Sequence, residues 1–312
     1  MAFPAEPGLS AQPADVHKGL QDFQTSTRTQ AAVFTSGSAW RIVPEQWESG
    51  STMQRRQFLM SALGSAVGAS LLPANAAEGG GEYYLLRRYQ FSSAQARNSA
   101  DYFSNALIPA LNRMKIAPVG VFNATIGLTS PNPYLLLPCA SLDTLARLDE
   151  KLAADADYQK AAKPFVTGAG IQPSFMRMDS SLLQAFAKYP KLTLPQAAIA
   201  KKTRIYEIRT YESPSDQLHQ LKMEQMQAGE AEIFQSVGAW TVFFADTLVG
   251  SRLPKLTYML GYEDLAARDK VWTAFAAAPA WKALNSQPRY TADTLVSNIT
   301  NEILTPTPYS QI

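Results

Sequence analysis

The sequence predicts an α+β protein built from two tandem βαββαβ modules of the ferredoxin-like type, with the two sheets packed face to face. Two observations carry this. The first is self-similarity: Tyr84-Leu85-Leu86-Arg87-Arg88-Tyr89 returns 122 positions later as Tyr206-Glu207-Ile208-Arg209-Thr210-Tyr211. Two further anchors, 118–122 with 239–243 and 157–161 with 280–284, keep the same order at nearly the same offset. A constant offset over three anchors marks an internal duplication. The second is the alternation of strand-like and helix-like periodicity inside each copy.

Residues 1–52 are rich in Ala, Ser, Thr, Gln and Pro and lack a sustained period. They are predicted to carry no fold and to stem from an upstream start assignment, with Met53 as the natural initiator. Residues 53–76 have the parts of an export signal: Arg55-Arg56-Gln57-Phe58-Leu59 as a twin-arginine motif, an apolar run to Leu72, and Ala74-Asn75-Ala76 as the cleavage site, so that the mature chain begins at Ala77. The run 58–72 is shorter than the roughly 20 residues of a bilayer span. No permanent membrane span is therefore expected in the mature chain, which is placed in the periplasm or another extracytoplasmic compartment.

The first module is assigned to 77–179, a connector containing Pro190 and Pro195 to 180–202, and the second module to 203–312. In the second, 204–211, 240–245, 256–262 and 295–304 read as strands. Residues 214–238 and 264–284 read as helices, the first with His219, Met223, Met226, Glu230, Ile233 and Val237 spaced by threes and fours. A sheet with helices on one face must cover the other, and the second module's sheet can do that.

Twenty-eight basic residues against 26 acidic ones give a net charge of +2 without basic stripes, which argues against nucleic-acid binding. Cys139 is the one cysteine, so neither an intrachain disulfide nor a thiolate metal cluster can form; it reads as a small buried hydrophobe. Of the two histidines, His17 precedes the export signal, leaving His219. A two-histidine metal site within one mature chain is thereby excluded, and no Gly-x-Ser-x-Gly elbow supports a serine nucleophile.

The stretch 205–211, then Tyr258-x-Leu260-x-Tyr262-x-Asp264-Leu265-Ala266-x-Arg268-Asp269-Lys270-x-Trp272-x-x-Phe275 and Pro279-x-Trp281, resembles the NIPSNAP family. The first copy resembles it more distantly, keeping Tyr134, Ser141-Leu142-Asp143 and Asp157-Tyr158. The resemblance implies a dimeric α/β barrel, here formed within one chain. The family supplies no agreed catalytic residues to carry over.

Strand parity gives the candidate site. Glu207, Arg209 and Tyr211 share one sheet face, and Leu85, Arg87 and Tyr89 match them in the first copy. Placed in the shared barrel interior, two Arg/Tyr pairs suit a small anionic or phenolic ligand. Glu207 would pair internally with arginine, leaving Arg87 as the freer cation. His219 reads as a structural histidine, with haem ligation as the alternative. Arg268-Asp269-Lys270 reads as a solvated helix face and Trp272, Phe275, Trp281 and Tyr158 as core. No cofactor is expected, and homo-oligomerisation is left open. The expected function is binding of a small ligand in the barrel interior. The alternatives are an oxidative enzyme, cofactor-independent or haem-dependent, and a structural partner protein.

Overall fold

Eight antiparallel strands close into a barrel in the order β1-β3-β2-β8-β5-β7-β6-β4. The computed structural model describes residues 81–126, 132–167, 174–291 and 294–312. The signal segment, with Arg55, Arg56, Ala76 and Ala77, lies outside the described residues. The strands are β1 (Tyr83–Gln90), β2 (Gly120–Ile126), β3 (Pro133–Cys139), β4 (Arg177–Ala185), β5 (Ile205–Glu212), β6 (Trp240–Val249), β7 (Lys255–Tyr262) and β8 (Asn298–Pro306).

Each module contributes four adjacent strands, β4-β1-β3-β2 and β8-β5-β7-β6, the order of a ferredoxin-like sheet. The sheets also join edge to edge, through β2–β8 and β4–β6. The expected two-module barrel is thus present as one closed hydrogen-bonded cylinder, which leaves no free sheet edge. One boundary shifts: β4 runs on to Ala185, so its second half replaces the start of the expected connector at 180. Those residues are held by pairing with both β1 and β6.

The helices form an outer layer over each module. In the second, Asp216–Gln225 and Ala231–Ser236 are joined by a π-helical turn, Met226–Glu230. The expected second helix breaks into Leu265–Ala277 and Pro279–Asn285, because Pro279 cannot donate to the preceding turn but fits a helix start. Three cores result. One lies under the first module's helices, around Tyr89, Phe103, Leu111 and Leu135. A second lies under the other helices, around Tyr211, Phe234, Tyr258 and Phe275. The third fills the barrel, with Tyr84, Phe122, Leu136, Tyr206, Phe243, Met259 and Leu304.

The barrel core shows the duplication in its packing. Tyr84 meets Phe243 of the other module at 4.9 Å between ring centroids, and Tyr206 meets Phe122 at 5.3 Å. These reciprocal pairs plug one half of the barrel. Toward the other end the inward side chains become polar: Thr210, Thr247 and Thr257 form a hydroxyl chain with spacings of 3.3 and 3.4 Å.

Candidate ligand-binding site

The alternation along β5 fixes which side chains face which layer. Tyr206 and Ile208 belong to the barrel core, whereas Tyr211 belongs to the core beneath the helices. Glu207 and Arg209 share the face of Tyr211. The same holds in β1, where Tyr84 points inward and Leu85 and Tyr89 point to the helices. The two Arg/Tyr pairs therefore do not line one shared interior. Each lies in its own sheet–helix layer, with the barrel wall between them.

In the second module this layer is organised around Glu207, which is fully buried. Its carboxylate accepts from Arg268 at 2.7 and 3.0 Å, Arg209 at 2.8 Å, Trp272 at 2.9 Å, Asn301 at 3.0 Å and Tyr262 at 3.3 Å. Burial alone would raise its pKa, but Arg268 and Asn301, the charge of Arg209 and the Trp272 N–H outweigh this and hold it at about 2. Arg268 is therefore not part of a solvated helix face; it turns inward from Leu265–Ala277 because a buried carboxylate demands counter-charge. Arg209 also lies 4.3 Å from the Trp272 ring and donates to the Tyr211 hydroxyl at 3.4 Å, which in turn bonds Tyr258 at 2.6 Å.

His219 is buried, with Nε2 at 2.8 Å from Asp246 and Nδ1 enclosed without a partner. Both ring nitrogens are thus turned into the protein. Beside it, Lys222 and Glu230 form a buried ion pair at 2.6 Å, and Lys222 also donates to Gln225 at 2.8 Å. In the first module Arg87 pairs with Asp149 at 3.3 Å and its charge lies beside Tyr89. It is thus not the free cation that sequence parity suggested. Leu85 at the place of Glu207 does leave Arg87 without an internal carboxylate, and an exposed aspartate supplies it. The six sequence-predicted residues fall into three groups: Glu207 with Arg209 and Tyr211, Arg87 with Tyr89, and His219 with Asp246. Cys139 is buried, as expected of a small hydrophobe, and Trp272, Phe275, Trp281 and Tyr158 pack in the helix-side cores.

The ligand-sized space in the barrel is lined by the opposite strand parity. A cavity of 510 Å³ opens at the polar end, bordered by Arg88, Tyr134, Asp179, Arg252, Lys255 and Glu302 together with threonines and serines. Arg88 donates to Asp179, and Tyr134 donates to Glu302. Lys255 is 7% exposed and Glu302 6%. Lys255 has no hydrogen bond or ion pair with a described residue, and Glu302 Oε1 has none either. A largely enclosed lysine without a hydrogen-bond partner and a buried, unpartnered carboxylate oxygen thus border one cavity. Sequence parity missed them because it took the wrong face of β1 and β5. The available signal was a charge in phase with inward residues: Lys255 with Met259, Arg88 with Tyr84, and Glu302 with Leu304.

The register makes the site's asymmetry explicit. Arg209 faces Tyr258 and Asn301 as Arg87 faces Leu135 and Ser180. Lys255 therefore corresponds to Asn132 and Glu302 to Ser181, while Arg88 and Asp179 correspond to Thr210 and Thr300. Ser181, Thr210 and Thr300 border the same cavity as their counterparts, whereas Asn132 lies at a different one, so the two modules contribute unequal charges to it.

The profile of the NIPSNAP family matches residues 84–187 and 206–311. The chain belongs to the NIPSNAP family. Its two matched segments coincide with the two modules. Among solved structures, a NIPSNAP-like domain protein from Burkholderia xenovorans is 23% identical, covering 34% of this chain and 88% of its own, with a TM-score of 0.30. A NIPSNAP family protein from Agrobacterium tumefaciens is 22% identical over 39% of this chain and 96% of its own, with a TM-score of 0.31. A structure described as an anthrone oxidase-like protein covers 74% of this chain and 93% of its own at 9% identity, with a TM-score of 0.44. No curated protein matches the chain.

Proposed function

We propose that this NIPSNAP protein binds a small anionic ligand in the polar half of its barrel, and that it does so after export. The observation that carries the binding is the pair of unpartnered groups on one cavity, Lys255 Nζ and Glu302 Oε1. An enclosed ammonium without an ion-pair partner is disfavoured, and a carboxylate against the lysine would offset part of that. Glu302 Oε1 adds an acceptor for a ligand hydroxyl or amine. A volume of 510 Å³ lies within the range of small-molecule sites. Export rests on the Arg55-Arg56 motif and the Ala74-Asn75-Ala76 sequence.

Thermal melting with small carboxylates, oxalate among them, against uncharged analogues tests the binding. A ligand at about 100 times its dissociation constant adds about 2.7 kcal/mol and raises the melting temperature by several degrees. Lys255→Met should abolish that rise while leaving the unliganded protein about as stable, since it removes an enclosed charge that has no ion-pair partner. An undiminished rise in this variant would place the anion elsewhere. For export, replacing Arg55 and Arg56 with lysine should retain the protein in the cytoplasm; normal processing at Ala76 afterwards would point to another route.

A further inference from the structure

Lys255 differs from the other cations at the barrel mouth. Arg88 is committed to Asp179 and reaches Tyr134, and Arg252 pairs with Glu212 at 3.1 Å. Lys255 has no such partner although it is almost completely enclosed. Its amine is surrounded by Arg252 and Arg88, with Glu212 adjacent on β5, while Glu302, Tyr134 and Asp179 border the same cavity. Burial first, and then the charge of Arg252, disfavour the ammonium form, so its pKa lies below that of an ordinary lysine. A lysine desolvated beside other cations is the arrangement that makes an amine nucleophilic near neutral pH.

From this placement we infer that Lys255 forms an imine with a small oxo acid, a molecule carrying both a carbonyl and a carboxylate. The inference rests on the anion-binding reading above and names the ligand's second functional group. Arg88 and Arg252, which border the cavity while paired with Asp179 and Glu212, make the surroundings of the carboxylate more positive. The lone pair of Lys255 Nζ attacks the carbonyl carbon; a C–N bond forms and the C=O π pair moves to oxygen. The nitrogen loses a proton and the oxygen gains one, with the free oxygen of Glu302 placed at the cavity to carry it. The carbinolamine then expels its hydroxyl as water while nitrogen completes the C=N bond and loses its second proton. One water leaves, and nothing is oxidised or reduced.

Glyoxylate with cyanoborohydride tests this on the full chain at near-neutral pH, because reduction converts the imine into a stable carboxymethyl amine. Peptide mapping should find the adduct at Lys255, formed about tenfold faster than at exposed lysines such as Lys202, as a lysine that loses its proton more readily than an ordinary one requires. Oxalate, which has the carboxylates but no reactive carbonyl, should compete. Glu302→Gln should slow trapping several-fold, and excess oxalate should still protect the residual reaction. Labelling spread evenly over surface lysines, with Lys255 unmodified, would overturn the proposal. If oxalate still raises the melting temperature in that case, the anion site stands and only the imine falls; if it does not, both fall. Because the decisive mapping uses the wild-type chain, it does not depend on any variant folding.

Discussion

Glu207 is a carboxylate that the fold cannot release without cost. Its folded pKa of about 2 lies below the ordinary 4.5, so its ionisation stabilises the protein above pH 4.5, and this contribution is lost as pH falls toward 2. The shift corresponds to about 3 kcal/mol. Glu207→Gln should therefore lower stability at pH 7 by about 3–5 kcal/mol, since Arg209 and Arg268 lose their buried partner. The deficit should narrow between pH 4.5 and 2 in urea unfolding; a constant deficit would contradict the assigned ionisation. Arg209→Ala should cost a similar amount. Arg87→Ala should cost about 1 kcal/mol, because Asp149 is 81% exposed and its pairing is screened. Neither arginine variant should alter an oxalate-induced melting shift, since both lie outside the barrel. The sequence made it legible that each arginine and its tyrosine share a face. Which face could not be read, because parity fixes relative side and not absolute direction.

At the scale of elements, that ambiguity has a physical cause. Every residue of β3 and of β7 is buried, since helices cover one face and the opposite sheet covers the other. Hydrophobic alternation requires one wet face, so strands buried on both sides carry no inward label. The helices were legible from their period, but the π-helical turns Tyr102–Leu107 and Met226–Glu230 were not, since one extra residue per turn hardly disturbs the apolar pattern. In the second, Gly229 adopts φ 153°, a conformation that L side chains rarely adopt. A Cβ there would find its nearest neighbour, Leu284, at 3.8 Å, so space is available. Gly229→Ala should still cost about 1–3 kcal/mol in urea unfolding, from backbone strain alone. A neutral outcome would mean that the turn relaxes to regular helix. The Lys222–Glu230 pair spans this turn, so losing either partner should resemble the glycine substitution in effect and exceed it in size.

For the whole molecule, duplication was the most legible feature, because three anchors at a nearly constant offset survive divergence of the intervening sequence. The edge-to-edge joins were not, since β2–β8 and β4–β6 pair residues separated by more than half a module and no local signal specifies them. Those joins make the modules interdependent. Chains cut near Pro190 should yield two halves that each expose an apolar sheet face and two unpaired edges. Size-exclusion chromatography should show them reassociating when mixed and self-associating when apart; two well-behaved monomers would argue against a shared core. The same duplication lets the cavity be uneven. Two identical chains would have to place the same residue at both equivalent positions, whereas one continuous chain can have lysine in one module where the other has asparagine, and glutamate where the other has serine.

Joining the two halves of a closed barrel in one polypeptide also changes how it answers to dilution. A barrel assembled from separate subunits falls apart once its concentration drops below its dissociation constant, and its melting temperature follows protein concentration. When a connector ties the halves together, closure becomes a first-order event with a local concentration of order millimolar, however sparse the protein is around it. A barrel closed within one chain keeps its pocket intact however dilute the protein becomes.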